Sequence, residues 1–248
     1  MLGIIGGTGL TQLANLQISH REVVRTPYGE PSGALTFGRL NGREVVFIAR
    51  HGYGHTIPPH AVNYRANIWA LHSRNVSRVV SVASVGGIRS DLKPGALALP
   101  KQIIDYTHGR KHTFFDSPEQ PVTHVDFTHP YCEKLRSDLL AAAAASNTPV
   151  IDGGVYAATQ GPRLETAAEI DRLERDGGAM VGMTGMPEAA LAREIGLCYA
   201  TVAVVANWAA GRAESADVVH LDQIWAVLTQ AMGKVRVVLE KLVESHGG

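Results

Sequence analysis

The sequence lacks an excess of charge of either sign. Its 248 residues include 23 Lys and Arg and 23 Asp and Glu, so the formal net charge at pH 7 is zero. Proteins that bind nucleic acid usually carry a basic excess or a basic stripe, and this chain has neither. The balance therefore argues against nucleic acid, and against an anionic membrane surface, as a partner.

Cysteine and long apolar runs are also scarce. Only Cys132 and Cys198 occur, far apart and without metal-ligand spacing, so we expect two reduced thiols in a cytoplasmic protein. The first residues, MLGIIGGTGL, are apolar but have no basic region in front, which is not typical of a signal peptide. No apolar run reaches the ~18 residues that a membrane helix needs, so no membrane partner is expected.

What the sequence does contain is a series of apolar, β-branched runs separated by helical patterns. Strands are predicted at residues 2–6, 44–49, 78–84, 154–159 and 198–206. Runs that are apolar throughout indicate a sheet buried on both faces. Helices are predicted at residues 62–73, 131–145 and 164–178, and a long final helix is predicted to follow Ser215 as N-cap. Strands alternating with helices predict one α/β domain over residues 1–248, with sites at the carboxyl ends of the strands.

One long segment fits no periodic pattern. Residues 107–130 are dense in His, Pro, Asp and Thr and carry neither a helical nor a strand repeat. A loop of this length inside a compact domain is usually functional or interfacial. We therefore expect this segment to contribute to a site or to a subunit contact.

Polar side chains stand at the ends of four predicted strands, three of those above and a further one that ends at Met183-Thr184 in MVGMTGMPE. Thr8 stands in the turn GIIGGTGL, which is neither a Walker A loop nor a G-x-G-x-x-G dinucleotide motif. Arg50 and His51 follow the second run, and Ser84 and Thr184 stand at the ends of two others. An arginine fork can hold two phosphate oxygens while a histidine donates a third bond. Converging at one edge of the sheet, these groups predict a site for orthophosphate.

Three histidines in ARHGYGHTIPPH raise the alternative of a metal site. His51, His55 and His60 are separated by Gly54 and two prolines, so no helix face holds them together. No cysteine or acidic ligand stands nearby. The sequence therefore predicts no metal.

Four motifs together resemble one family. GIIGGTGL, RHGYGHTIPPHAVNYRANIWAL, GPRLETAAE and GMTGMPEAALAREIGLCYA are similar, in order and spacing, to the trimeric purine nucleoside phosphorylases, on the methylthioadenosine/methylthioinosine branch. The similarity covers nearly the whole chain and is loosest at residues 107–130. It implies the nucleoside-phosphorylase α/β fold, a mixed and largely buried central sheet flanked by helices on both faces. It further implies purine salvage by phosphorolysis, orthophosphate as co-substrate, no cofactor, and a homotrimer or a hexamer built as a dimer of trimers.

The resemblance also implies roles for individual residues. By motif position, the phosphate site is formed by Thr8, Arg50, His51, Ser84 and Thr184. Met183 is expected to contact the ribose, and Leu164 to line the substrate site. In the family a neighbouring subunit completes each site, and His124 is the matching residue here.

The base-reading positions distinguish between purines. Asn207 and Ala209 stand where methylthioadenosine phosphorylases carry an Asp-x-Asp pair, and Glu165 stands where the 6-oxopurine enzymes keep a glutamate. A 6-oxopurine has an N1–H that can donate to a carboxylate, whereas adenine N1 is an acceptor. We therefore expect Asn207 and Glu165, with His51, to be the catalytic residues for a hypoxanthine-type base. The alternatives are a satisfied turn amide for Asn207 and a helix N-terminal acid for Glu165.

The residues near the ribose 5′ position favour a thioether. By register the matching position is Leu221, with Ile224 and Trp225 one turn later, and this apolar set suits a methylthio group. His220 is adjacent, and a slip of one residue would allow a hydroxyl contact instead. Methylthioinosine is therefore favoured over inosine. The remaining alternatives are a methylthioadenosine phosphorylase, a general inosine/guanosine phosphorylase and a nucleoside-binding sensor without catalysis.

Overall fold

The structure is a computed structural model that describes residues 1–10, 13–119 and 121–245. These residues form eleven strands and five α-helices. The strands are β1 (Leu2–Gly6), β2 (Gln17–Glu22), β3 (Leu35–Leu40), β4 (Arg43–Ala49), β5 (Arg78–Gly87), β6 (Leu97–Leu99), β7 (Gln102–Asp105), β8 (Val150–Asp152), β9 (Val155–Ala158), β10 (Met180–Gly182) and β11 (Cys198–Trp208). The helices are α1 (Tyr64–His72), α2 (Glu133–Ala145), α3 (Ala167–Arg175), α4 (Gly185–Glu194) and α5 (Leu221–Ser245).

All eleven strands belong to one mixed sheet. Its main path runs β2-β3-β4-β1-β5-β10-β9-β7, and a branch leads from β5 through β11 and β6 to β8. The strands β4, β1, β5 and β11 are parallel, whereas β10 is antiparallel to β5. The carboxyl ends of the four parallel strands therefore meet at one edge of the sheet, which is where sites are expected in α/β folds.

Helices cover both faces of this sheet. The adjacent residues Ile4 and Ile5 of β1 are both fully buried and point to opposite faces. Ile5 belongs to an apolar cluster that includes Ile68 of α1, and Ile4 to a second cluster that includes Leu228 of α5. The predicted fold class, a mixed and largely buried sheet between helices, is confirmed.

The predicted strands are present, but β5 and β11 extend beyond the apolar runs that predicted them, and β11 continues to Trp208. β5 continues to Gly87, so Ser84 lies inside the strand and not at its end. The continuation requires glycine, because a Cβ at Gly87 would lie 2.0 Å from the carbonyl oxygen of Leu92. β2, which is polar and almost wholly exposed at the sheet margin, was not predicted, since an edge strand has no buried run to reveal it.

The long final helix is confirmed, but its start is not where the sequence placed it. Ser215 ends a short 3₁₀ helix, Ala213–Ser215, and α5 begins six residues later at Leu221. Apolar residues that recur every three or four positions form a buried stripe at Leu228, Met232, Val235, Leu239 and Leu242, but the first residue of this series, Leu221, is 61% exposed. The apolar stripe correctly predicted that α5 is a helix and which face is buried. A serine alone was not enough to predict the first residue of the helix.

The prediction of two reduced thiols is wrong. Cys132 and Cys198 form a disulfide across 66 residues of sequence, with their Cα atoms 5.1 Å apart. Cys132 immediately precedes α2, Cys198 begins β11, and the amide of Cys132 donates to the carbonyl of Tyr199 at 2.8 Å. Sequence distance does not measure spatial distance, and the packing of α2 beside β11 brings the two sulfurs together.

The irregular segment 107–130 forms no helix or strand in its described residues, 107–119 and 121–130. Its buried points of attachment include Arg110 and Phe114, whose amide donates to the carboxylate of Glu194 at 2.8 Å. Within the described part of the chain, no helix combines the length and apolar character needed to cross a bilayer.

Candidate active site

A cavity of about 280 Å³ opens at the carboxyl edge of the sheet. Most of the predicted site residues line it: Thr8, Arg50, His51, Ser84, Leu164, Glu165, Met183, Thr184, Asn207, Ala209 and Ile224. They come from seven separate parts of the chain. Those near the carboxyl ends of β1, β4, β5 and β11 meet because these parallel strands deliver their ends to the same edge. The cavity has two ends of different character, one built on strand ends and one built on loops.

The glycine-rich turn after β1 forms part of the first end. The amide of Leu10 donates to the carbonyl of Gly7 at 2.9 Å, and Gly9 has a φ of +83°, which favours glycine. A Cβ at Gly7 would lie 2.8 Å from Arg50 Nη1 and 2.5 Å from the carbonyl of Val82. Glycine is therefore required for the turn to rest directly on the arginine and to present Thr8 to the cavity.

Arg50 is 1% exposed, and its fork is occupied by protein. Its Nε and Nη2 donate to the two carboxylate oxygens of Glu188 at 2.7 and 2.9 Å. Nη2 also donates to Ser81 Oγ at 2.6 Å, and Nη1 to the carbonyl of Val82 at 3.0 Å. These contacts use four of the five N–H groups of the guanidinium. The prediction that the fork holds two phosphate oxygens is therefore wrong, and one Nη1–H is left for a ligand.

Glu188 keeps this arginine in place. Burial by itself would raise the pKa of Glu188, but the charge and hydrogen bonds of Arg50, with those of Ser81 and Tyr199, outweigh it and leave the pKa below its ordinary value. Desolvation opposes the charge on Arg50 too, and the carboxylate of Glu188 still raises the pKa of Arg50. The buried pair is thus fully ionised and has no net charge.

His51 is an acceptor towards the cavity, not a donor. Its Nδ1 lies 2.8 Å from the carbonyl oxygen of Ile57, which only accepts, so Nδ1 carries the proton. Burial, reinforced by the charge of Arg50, lowers the pKa of His51 to about 4, so the ring is neutral at pH 7. Its Nε2 then offers a lone pair. The prediction that His51 donates a third bond to phosphate is wrong for this tautomer.

The second end of the cavity contains Asn207. β11 shifts register between Val205 and Asn207, and such a bulge re-aims the side chains that follow it. Asn207 Nδ2 donates to the carbonyl oxygen of Trp208 at 2.6 Å. That bond fixes the orientation of the amide because the carbonyl cannot donate. One N–H and the Oδ1 of Asn207 remain, one donor and one acceptor.

Glu165 lines the same cavity as Asn207. Its Oε1 accepts from Thr159 Oγ1 at 2.6 Å. The alternative role as a helix N-terminal acid falls to another residue, since Thr166 caps α3 and Glu169 completes the capping box. Glu165 precedes the cap, and its second carboxylate oxygen has no hydrogen-bond partner among the described residues.

Three predicted substrate residues lie outside the cavity wall. Leu221 is 61% exposed and His220 is exposed, because the first turn of α5 extends beyond the body of the chain. Val219 and Ile224 line the cavity in their place. His124 is exposed on the irregular segment and takes no part in the wall formed by this chain.

Sequence reasoning missed other wall residues. His55, considered only as a metal ligand, lines the cavity and its Nε2 lies 3.0 Å from Thr8 Oγ1. Ile57, Pro59 and Val219 add apolar surface. Apolar residues in loops have no periodicity to mark them, and only the folded chain collects them. Across the described ranges, no group of three His, Cys, Asp or Glu side chains is placed to hold a metal ion.

The α/β fold thus combines buried polar groups at its strand ends with loop residues that leave donors and acceptors open to the same cavity. The chain belongs to the Phosphorylase superfamily, whose family model matches residues 1–244. The resemblance found from the sequence motifs is confirmed.

Individual relatives agree with this assignment. A protein named probable S-methyl-5′-thioinosine phosphorylase from Pseudomonas syringae pv. tomato is 53% identical over 242 residues, 98% of each chain. The 6-oxopurine nucleoside phosphorylase of Pyrococcus furiosus is 48% identical over 215 residues, 85% of this chain and 80% of the other. Among solved structures, methylthioadenosine phosphorylase from Schistosoma mansoni in complex with adenine superposes with a TM-score of 0.94 at 32% identity, covering 99% of this chain and 91% of that one.

Proposed function

We propose that this chain catalyses phosphorolysis of a 6-oxopurine nucleoside, with S-methyl-5′-thioinosine as the favoured substrate. The products are hypoxanthine and 5-methylthioribose 1-phosphate. The observation that carries the proposal is the pairing of a neutral amide, Asn207, with a carboxylate, Glu165, at one end of the cavity, beside the small side chain of Ala209. Relatives named for methylthioinosine and for 6-oxopurine nucleosides support the same class.

The base end fits the lactam edge of hypoxanthine. The free oxygen of Glu165 accepts from N1–H, and Asn207 donates to the 6-oxo oxygen or accepts from a protonated N7. Adenine would bring its N1 acceptor against Glu165 and its amino group towards Ala209, which accepts nothing. Each unpaired buried group costs about 1–3 kcal/mol, so two mismatches give discrimination on the order of 10²–10⁴.

The strand-built end receives orthophosphate. Arg50 donates its remaining Nη1–H, and the hydroxyls of Thr8 and Thr184 donate to other phosphate oxygens. His51 Nε2 accepts the hydrogen of a monoprotonated phosphate, which orients the anion with an ionised oxygen towards the sugar. Because Arg50 and Glu188 neutralise each other, phosphate is held by directed hydrogen bonds more than by net charge.

The reaction needs no group beyond these side chains and the two substrates. The bond between C1′ and N9 breaks, and its electron pair moves into the purine, where Asn207 and Glu165 stabilise the developing charge. A phosphate oxygen then forms the new bond to C1′ on the opposite face of the sugar, near Met183. We accordingly propose orthophosphate as co-substrate and no cofactor.

The 5′ end of the ribose meets apolar surface. Ile57, Pro59, Val219 and Ile224 line this part of the cavity. A methylthio group is favoured there over a hydroxyl, because no side-chain donor or acceptor from these residues would satisfy the hydroxyl. Methylthioinosine is therefore preferred to inosine.

We further propose that the working unit is a homotrimer, alone or paired as a hexamer. Val218, Leu221 and Trp225 are 54–61% exposed beside the cavity, a concentration of apolar side chains that suits a subunit contact. His124 of a neighbouring subunit is expected to reach this opening.

The cytoplasmic location stays a prediction. Reducing compartments disfavour disulfides such as Cys132–Cys198. Thiol titration of the protein in a fresh cell extract tests whether this disulfide is present in the cell.

One comparison tests the proposal: phosphate-dependent turnover of methylthioinosine, methylthioadenosine and inosine by the same purified preparation. We expect methylthioinosine to have the highest kcat/KM and turnover to require phosphate. Fastest cleavage of methylthioadenosine, the substrate named for the superposed Schistosoma enzyme, would overturn the base assignment. Inosine cleaved as fast as methylthioinosine would overturn the 5′ assignment. Binding without turnover would favour a sensor.

A further inference from the structure

The irregular segment 107–130 contains a buried arginine that the proposed reaction does not use. Arg110 is 9% exposed and does not line the cavity. All its hydrogen bonds go to neutral acceptors: four backbone carbonyls, the side-chain amide of Gln160 and the hydroxyl of Tyr64. Within the described residues it makes no ion pair. A buried cation without a carboxylate is costly, and here the six hydrogen bonds and the ring of Tyr64, 5.5 Å from the guanidinium carbon, offset that cost.

Apart from the hydroxyl of Tyr64 in α1, the acceptors belong to two neighbouring loops, which follow the paired strands β9 and β10 and both contribute to the cavity wall. Nη2 donates to the carbonyl of Gln160 at 2.9 Å and of Thr159 at 3.3 Å, in what we term the base loop, residues 159–165. Nη1 donates to the carbonyls of Met183 at 2.8 Å and Met186 at 2.6 Å, in the phosphate loop, residues 183–186. The base loop carries Glu165, and the phosphate loop carries Thr184.

The two loops also touch each other. Gly161 has a φ of +61°, and a Cβ there would lie 2.3 Å from Met183 Sδ. The guanidinium lies under this contact with its donors in a rigid plane, so the positions of the loops are coupled through it. A lysine has three donors on a single nitrogen and cannot reproduce the six contacts that the three guanidinium nitrogens make.

We propose that Arg110 is a positioning residue that fixes the spacing of the base loop and the phosphate loop, the two parts of the cavity wall that carry Glu165 and Thr184, beyond the point where β9 and β10 pair. The inference rests on the phosphorolysis proposed above. In that reaction the leaving base and the attacking phosphate lie on opposite faces of C1′, and loss of near-attack geometry by about 1 Å costs on the order of 10²-fold. Arg110 acts through Glu165 and Thr184 and touches neither substrate.

Arg65 offers a matched control. It is also a partly buried arginine, and its Nη1 donates to the carbonyl of Thr113 at 3.2 Å in the same irregular segment. It pairs with Asp116 and contacts neither the base loop nor the phosphate loop. Arg65→Met therefore removes an anchor of the segment and leaves the spacing of the two loops alone.

The experiment compares Arg110→Met, Arg110→Lys and Arg65→Met in phosphorolysis. We expect kcat/KM to fall about 10²-fold, mostly in kcat, for Arg110→Met, less for Arg110→Lys, and less than threefold for Arg65→Met. In a Glu165→Gln background the loss from Arg110→Met should shrink at least tenfold, because the position of a missing carboxylate no longer matters. Millimolar guanidinium should restore part of the rate of Arg110→Ala and none of Arg65→Ala.

Hydrogen exchange supplies a readout that does not depend on turnover. Amides of both loops should exchange at least tenfold faster in Arg110→Met than in the wild type, with no such change in Arg65→Met. Wild-type rates or unchanged exchange in Arg110→Met would overturn the inference, as would equal losses in the Arg65 variant. A wild-type protein inactive on every nucleoside would contradict the proposed function instead, and the exchange comparison would still decide the role of Arg110.

Discussion

The two ends of the cavity are built differently. At the end proposed to bind phosphate, Arg50 and His51 follow a central strand, are 1% and 6% exposed, and have partners in the core that fix their charge and tautomer. At the base end, Glu165 is half-buried in a loop and Asn207 stands at a strand bulge, each with a single side-chain hydrogen bond. The first end is formed by groups fixed in the core, whereas the second depends on loops whose position is set by contacts outside the cavity.

This difference explains how one fold serves several nucleosides. Phosphate is common to the whole reaction class, so its site gains from being fixed in the core, where preorganised donors need no rearrangement. The base and the 5′ group vary among substrates, and loop residues can change without disturbing the sheet. Relatives named for methylthioinosine, 6-oxopurine nucleosides and methylthioadenosine all align with most of this chain.

The largest expected effect comes from breaking the core partner of the phosphate end. Glu188→Gln leaves the Arg50 charge buried without a carboxylate, which should destabilise the fold by about 3–5 kcal/mol. It should also lower kcat/KM for phosphate about 10²–10³-fold, an amount typical of removing one preorganised donor. Urea unfolding and phosphate saturation kinetics measure the two effects.

Glu22→Gln is the matched control for this change. Glu22 pairs with Arg74 at 2.5 Å, but both side chains are about one-third exposed. Exposed pairs contribute about 0–1 kcal/mol, so both stability and activity should stay near wild type. Equal losses in the two variants would show that the buried pair is not special to the phosphate end.

The next largest expected effect is a change in base preference. Asn207→Asp together with Ala209→Asp supplies acceptors for a 6-amino group and removes the amide that bonds the Trp208 carbonyl. We expect the ratio of kcat/KM for methylthioinosine over methylthioadenosine to fall on the order of 10²-fold. The ratio, measured on one preparation, does not depend on the fraction of active protein. Ala216→Asp adds a carboxylate nearby, on an exposed residue outside the cavity wall, and should leave the ratio unchanged.

The lowered pKa of His51 predicts that the free energy of unfolding falls as the pH is lowered. Its folded pKa of about 4 lies below the ordinary 6.5, so only the unfolded chain binds this proton between those values. Stability should therefore be complete above pH 6.5 and fall by about 1 kcal/mol at pH 5.5 and about 2–3 kcal/mol at pH 4.5. His51→Asn lacks the titration, so the difference between the two proteins in urea unfolding should shrink by these amounts as pH falls. A constant difference would contradict the buried neutral ring.

The smallest effect distinguishes two residues of α5. Ile224 lines the cavity, and Leu221 is exposed outside it. Ile224→Thr should reduce the preference for methylthioinosine over inosine about 5–10-fold, the scale of one or two buried methylene groups. Leu221→Thr should leave the preference of the isolated chain unchanged. The opposite result would restore the register first predicted from the sequence.

Much of the site was predictable because its residues follow apolar strands. The runs ending at Gly6 and Ala49 predicted where Thr8 and Arg50 would stand, and the cavity contains both. Motif order predicted Glu165 and Asn207. Which residues of the first turn of α5 line the cavity was not predictable. This turn extends past the core, so burial does not decide which way its apolar side chains point.

By itself the sequence determined the alternation of strands and helices, the stripe of the last helix and the family of the chain, because apolar periodicity and motif spacing are local properties. The state of each polar group was decided only by tertiary structure. Arg50 meets Glu188 across 138 residues, and Cys132 meets Cys198 across 66. Whether a guanidinium is free, a histidine donates or a thiol is reduced depends on partners that folding brings from afar, and no local pattern records them.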